Sequence, residues 1–331
     1  MLLKIIIFLT SLLFSLVSFE FFLENSPFEY GITPVEYDSQ IGMWHKKGFE
    51  GYAIKECYKT KYKFNKEGLP SSIYKHNPAK ENVAILGDSY IEGIMVKNEN
   101  IIHNSLAKEF NNKYNFMNYG LSGSSPVQQF IILKDKINLK NTKYVIQFIN
   151  LEGDLLDVDS KNLNSLARPK VYVEFDSMDK YKINPPRAKT LYDNIGDFLG
   201  DYQIYTFIKK SIYYFKESIS IKKEQKTDKE EGEKDLSKNW LYLKGSIYQS
   251  NKLIKLMNPA AQYKIVINSN KNNNKLKLGD FLLEEGIQYI YLDDVLKKFK
   301  INLGGFSCDS HWNNSAHKDI AKVIKKIQFI N

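Results

Sequence analysis

The stretch Val83-Ala84-Ile85-Leu86-Gly87-Asp88-Ser89-Tyr90 sets a short apolar, β-branched run directly against a glycine and a polar turn. Four apolar residues ended by glycine predict a strand buried on both faces, as in a parallel sheet. A serine at the strand-to-helix turn that follows is exposed at the carboxyl edge of the sheet. There a base can reach its Oγ, and backbone N–H groups can face an oxyanion. Gly87 lets the backbone turn sharply. Taken alone, Gly87-Asp88-Ser89 reads equally well as an Asp-Ser helix cap.

The same alternation continues downstream. Ile102, Leu106 and Phe110 recur every four residues, as on one helix face. Tyr114 to Asn118 reads as a second strand ended by Gly120, Phe130 to Leu139 as a helix, and Tyr144 to Ile149 as a third strand. After a long middle section, Tyr263 to Ile267 gives a fourth strand and Gly286 to Tyr291 a fifth, with a helix over Leu276 to Glu285 between them. Ile320, Val323, Ile324 and Ile327 follow the i, i+3, i+4, i+7 spacing of an amphipathic closing helix. Such alternation predicts an α/β domain over residues 81–331, with a parallel sheet, helices on both faces and ligands at the carboxyl ends of the strands.

Upstream, residues 24–80 hold Pro27, Pro34 and Pro70 among Tyr, Lys and Gly, and show no long periodicity. They read as a lead-in of short strands and turns packed on the domain. Residues 1–23 differ in kind. Lys4 precedes an apolar run from Ile5 to Phe19 that continues past Glu20 to Leu23. Its 19 residues approach the roughly 20 that cross a bilayer. No A-x-A-like cleavage site follows. The segment therefore reads as an uncleaved transmembrane signal-anchor, with a cleaved secretion signal as the alternative. Lys4 on the inner side places the rest of the chain outside the cytoplasm.

The 331 residues carry 47 Lys+Arg against 38 Asp+Glu, a formal net charge of +9. Only Arg168 and Arg187 are arginines, whereas a chain built to grip phosphates or bases draws on the planar guanidinium fork. With an exporting segment and no nucleic-acid motif, the charge does not imply DNA or RNA as a partner. Lys222 to Lys238 holds six lysines and six acidic residues in 17 positions, a neutral charged insertion spanning about 217–239. Before it, residues 202–215 are aromatic and lysine-rich. They read first as an amphipathic core helix, and alternatively as a segment lying on a membrane or a glycan. Cys57 and Cys308 fit no metal motif and could pair in an oxidising compartment. No cofactor or metal is implied.

A nucleophilic serine needs a base, and the base an acceptor that fixes its tautomer. Of the five histidines, His311 alone follows an Asp at two residues in a loop, in Cys308-Asp309-Ser310-His311-Trp312-Asn313. His103 and His317 fall in predicted helices; His45 and His76 lie in the lead-in. The set Ser89, His311 and Asp309 is the candidate catalytic triad. Asn118-Tyr119-Gly120-Leu121-Ser122-Gly123 ends the second strand, where Gly120 can offer an N–H. Ile149-Asn150-Leu151-Glu152-Gly153-Asp154 ends the third.

Gly87-Asp88-Ser89-Tyr90, Gly120, a polar end to strand three and Asp309-x-His311 resemble, in order and placement, the SGNH or GDSL-type hydrolases. The resemblance covers residues 82–328. Asp38-x-x-Ile41-Gly42-Met43-Trp44 and Phe64-Asn65-Lys66-Glu67-Gly68-Leu69 resemble segments that precede the nucleophile in membrane-anchored members. Asp309-Ser310-His311-Trp312-Asn313 resembles the base motif of the branch that modifies bacterial polysaccharides. The resemblance implies a flavodoxin-like three-layer α/β/α fold, Ser89 as nucleophile, His311 as general base and Asp309 as its orienter. It implies an oxyanion hole from the Ser89 and Gly120 N–H groups and an Asn side chain after strand three. There the chain departs from the usual G-x-N-D, with Gly153 before Asp154, leaving Asn150 as the substitute. The implied function is a serine esterase removing O-acetyl groups from a cell-envelope glycan. The alternatives are acetyl transfer to a surface polysaccharide, with a membrane acyltransferase supplying the donor, and a glycan-binding module with a degenerate site.

Overall fold

The computed structural model describes residues 2–25, 34–158, 169–200, 202–209, 211–212 and 236–330. Five strands form the main sheet: β1 (Asn82–Leu86), β2 (Asn115–Asn118), β3 (Thr142–Asn150), β4 (Gln262–Asn268) and β5 (Gln288–Tyr291). All neighbours pair in parallel, in the order β2-β1-β3-β4-β5. This is the flavodoxin-like order, and its direction reverses between β1 and β3.

The strand sequences explain the layering. Val83 and Ile85 belong to one core, Ala84 and Leu86 to the other. On β3, Tyr144, Ile146 and Phe148 face the first core, Val145 and Ile149 the second. A side-chain period of two thus delivers apolar groups to both faces, and each face is covered by helices. Ile102 and Leu106 of α3 (Ile102–Glu109) pack on the first face with Leu292 of α9 (Leu292–Lys298) and Ile320, Val323 and Ile324 of α10 (Asn314–Lys326). On the second face lie α4 (Pro126–Lys136), α7 (Ser237–Met257) and α8 (Asn272–Glu284), through Phe130, Leu243, Ile247 and Phe281. The result is a three-layer α/β/α sandwich.

Several boundaries differ from the sequence reading. Helix α4 begins four residues early, because Pro126 sits in its first turn and Ser125 with Gln128 forms a capping box. Helix α7 was not anticipated; Trp240, Leu243, Ile247 and Ile254 supply its buried face. The charged insertion lies mostly outside the described residues, but positions 237–239 already belong to α7. Core packing of residues 202–215 does not hold for the described part, where Tyr202, Ile208 and Ile212 are exposed.

The lead-in forms two hairpins, Val35–Asp38 with Gly42–His45 and Glu50–Lys55 with Tyr58–Lys63. Trp44 and Phe64 are buried, and Trp44 Nε1–H donates to the Glu67 carbonyl at 3.0 Å. Two further hairpins, Tyr172–Phe175 with Tyr181–Asn184 and Gly305–Phe306 with Asp309–Trp312, were not read from sequence. Helix α1 (Leu2–Asn25) carries the apolar run Leu3–Leu23, long enough to cross a membrane, with its side chains exposed along almost the whole length.

Candidate active site

Ser89 opens the one-turn helix α2 (Ser89–Glu92), immediately beyond β1. Asp88 is its N-cap and accepts the Tyr90 N–H at 2.9 Å. The cap reading of Gly-Asp-Ser is therefore realised, with Asp88 as the cap and Ser89 in the first position of the helix. His311 arrives from the last hairpin, just before α10. Its Nε2 lies 2.7 Å from Ser89 Oγ. Asp309 Oδ1 accepts from His311 Nδ1–H and from the His311 backbone N–H at 3.1 Å. With Nδ1 holding its proton toward Asp309, Nε2 keeps a lone pair for the serine hydroxyl.

Contacts outside the triad hold it in place. The Lys55 ammonium and the Tyr58 hydroxyl, at 3.3 Å, donate to the other Asp309 oxygen. Both come from the second lead-in hairpin. Cys57, at the tip of that hairpin, is disulfide-bonded to Cys308, next to Asp309. The Tyr90 ring lies 4.8 Å from the His311 ring, and its hydroxyl donates to the Ser310 carbonyl at 3.2 Å. Lys55 and Tyr58 were missed as site residues, since residues 55–58 meet 306–309 only in the tertiary structure, and Tyr90 was quoted in the Ser89 motif without a role of its own.

The electrostatics suit a His-orienting carboxylate. Burial pushes the Asp309 carboxyl up, but Lys55 and His311 outweigh it and hold it well below the usual carboxylate range. The Tyr58 hydroxyl is pushed up to about 12 by burial and the Asp309 charge, so it remains a donor. Beneath the nucleophile turn the balance reverses. Burial, aided by the Asp157 charge, raises Asp88 to about 6 against its bond from Tyr90 and the pull of His311. Asp154 is raised well above its ordinary value by burial and by the charge of Asp88.

Three candidate oxyanion groups can be placed. The Ser89 N–H has no partner among the described residues. The Gly120 N–H is not free, because it donates to Asn118 Oδ1 at 2.8 Å. Its assignment as a donor is therefore corrected. Glycine is required there for close approach: a β-carbon at 120 would lie 2.3 Å from the Glu92 nitrogen. Gly123, in the same segment, has φ +70° and an N–H without a partner among the described residues. Its loop is tied to the Gly87 carbonyl by the Leu121 N–H at 3.1 Å and Ser124 Oγ at 3.0 Å. The Asn150 amide oxygen faces Asn268 Nδ2 at 3.5 Å, on β4, across β3 from Ser89. Among the described residues the Asn150 side chain has no hydrogen bond to Ser89.

The site also rests on a buried polar chain. Glu92 of α2 accepts from Ser122 and pairs with His45 Nε2 at 2.5 Å, while His45 Nδ1 bonds the Gly68 carbonyl at 2.7 Å. His45 and Glu92 are both fully enclosed. Lead-in, nucleophile turn and the Gly120–Gly123 loop are thus joined by one network. His103 and His317 are also buried, and burial lowers both well below the ordinary histidine value. They are neutral packing groups. Among the described residues, no group of three or more His, Cys, Asp or Glu could hold a metal ion.

No family model and no curated protein matches the chain. Solved structures do resemble it. A two-domain esterase active on acetylated mannans shares 12% identity over 76% of this chain, at a TM-score of 0.39; the match spans only 49% of that esterase. A GDSL-like lipase from Bacteroides thetaiotaomicron shares 12% identity, covering 77% of this chain and 91% of the lipase, at a TM-score of 0.36. A member of the lipolytic G-D-S-L family from Veillonella parvula shares 11% identity, covering 76% and 99%, at a TM-score of 0.38.

Proposed function

We propose that the chain is a membrane-anchored serine esterase of the SGNH type that removes acyl groups, acetyl foremost, from a glycan outside the cytoplasm. The observation that carries the esterase reading is the placement of Ser89 Oγ 2.7 Å from His311 Nε2, with Asp309 on the far side of the ring. His311 takes the serine proton as Oγ attacks the ester carbonyl. The tetrahedral oxyanion is met by the Ser89 N–H and the Gly123 N–H. The protonated His311 then gives its proton to the departing sugar hydroxyl, leaving an acyl-serine. Water, deprotonated by the same imidazole, releases the acid. Asp309 stabilises the imidazolium at both stages. Gly153 stands in the place of the usual Asn after β3, and a side-chain oxyanion donor at such a position is worth about 10²–10³ in rate.

The glycan reading rests on the resemblance around Asp309-Ser310-His311-Trp312-Asn313 and on the apolar α1. Solvent reaches the triad, with the His311 side chain 23% exposed, which suits a polymer better than an engulfed small molecule. Ser89→Ala abolishes acetate release from an aryl acetate and labelling by a fluorophosphonate. Unchanged release by the variant refutes the esterase. Adding de-acetylated polysaccharide to the assay separates the two acyl fates: acetate for hydrolysis, acetylated sugar for transfer.

A further inference from the structure

Helix α6 (Leu191–Leu199) has its polarity inverted. Its carboxylates are paired with neighbouring side chains of the domain: Asp193 is held by both guanidinium nitrogens of Arg187, at 2.6 and 2.9 Å, and Asp197 by Lys189 at 2.6 Å. Its apolar residues face out. Leu191 is 75% exposed, Ile195 44% and Phe198 71%. They are spaced four and three residues apart, a single stripe on the helix, and exposed Tyr202 beyond its end sets its ring 6.3 Å from that of Phe198. Ile208 and Ile212, in the segment that follows, are exposed as well. An ordinary surface helix turns its apolar side inward and its charges to water. A contiguous apolar patch on the outside marks a contact surface.

Helix α1 fixes what that surface meets. The Glu20 carboxylate accepts the Gln203 N–H at 2.6 Å and the Ile204 N–H at 2.9 Å, satisfying the open N-terminus of the helix over 203–209. Phe19 meets Phe207 edge-on at 5.9 Å. The apolar run Leu3–Leu23 is about 31 Å long at 1.5 Å per residue, against a hydrocarbon core of about 30 Å. Glu20, three residues from its end, therefore stands at the outer boundary, and the helix that it caps starts at that depth. A charge inside an apolar span is costly unless paired or placed at the interface, and here it is both.

We propose that α6 and residues 202–209 and 211–212 lie on the outer leaflet of the bilayer that α1 spans. The stripe sits among the acyl chains, as in interfacial amphipathic helices. The catalytic domain is then held against the membrane at a set orientation rather than swinging on a tether. The proposal rests on the anchoring of α1, and it is independent of the esterase chemistry.

The test uses the full chain in phosphatidylcholine–phosphatidylglycerol vesicles, with one nitroxide label per variant at Leu12→Cys, Lys182→Cys, Ile195→Cys or Phe198→Cys. The native cysteines are bonded to one another and do not compete for the label. At 195 and 198, as at 12, collisions with oxygen exceed collisions with a water-soluble nickel chelate; at 182 the order is reversed. Labels at 195 and 198 behaving like that at 182, with 12 still in lipid, overturn the proposal and leave the anchor standing. Nickel access at 12 overturns the anchor and the proposal together. Dipolar broadening at 198 between copies assigns the stripe to a second copy of the chain and overturns the lipid assignment.

Discussion

Asp309 gathers the His311 ring, the His311 backbone, Lys55 and Tyr58 around one carboxylate, while Asp88, the N-cap of α2, holds a carboxyl under opposite pressure. The difference is partnership: Asp309 has an ammonium beside it, whereas Asp88 has Asp154 and Asp157 as neighbours. Asp88 titrates near 6 in the fold against an ordinary value of 3.8. Between those values the folded chain keeps a proton that the unfolded chain has released. Its stabilising contribution is thus full below pH 3.8 and is lost as the pH rises toward 6. The shift corresponds to at most about 3 kcal/mol. Asp88→Asn keeps the cap acceptor and removes the charge. Its melting temperature relative to the parent therefore rises between pH 4 and pH 7 in thermal unfolding; parallel profiles would remove the carboxyl cluster from the account. At this scale the candidates Ser89 and Asp309-x-His311 were legible as local patterns, and the structure brings their side chains together. Gly120 was misread and Gly123 passed over, since which N–H is free depends on where the Asn118 amide turns.

The second lead-in hairpin and the last hairpin act as one element. Cys57 and Cys308 are 251 positions apart in sequence, yet each N–H donates to the other's sulfur at 3.2 Å. The bond places Lys55 and Tyr58 on Asp309. Cys57→Ser with Cys308→Ser destabilises the fold by about 2–5 kcal/mol, read by denaturant unfolding. It also lowers kcat on an aryl acetate while leaving KM within a few fold, because Asp309 loses the hairpin that presents its two outer donors. A drop in stability with kcat intact would confine the bond to a structural role. The strands of the main sheet and helices α3, α4, α8 and α10 were readable because each carries its own period. The hairpins at 172–184 and 305–312 were not, since their short strands are stabilised by what they pack against rather than by pattern.

For the whole molecule, the apolar α1 with Glu20 bonded to residues 203 and 204, and the disulfide beside the candidate active site, support the proposal of a chain held at a membrane and facing an oxidising compartment. The full chain stays with the membrane pellet through alkaline carbonate extraction, and its N-terminus begins upstream of Glu20. Recovery in the supernatant, shortened past Leu23, would assign a cleaved signal instead. The sequence by itself determined the apolar α1 and the five-strand α/β alternation and marked Ser89, Asp309 and His311 as candidates, because those signals are written in contiguous runs of about 20 residues or fewer. Only the tertiary structure decided the Cys57–Cys308 pairing, the Lys55 and Tyr58 support of Asp309, the His45–Glu92–Ser122 chain, the commitment of the Gly120 N–H and the outward face of α6. Each of these depends on which distant segments meet across the sheet edge, and no local period carries that information.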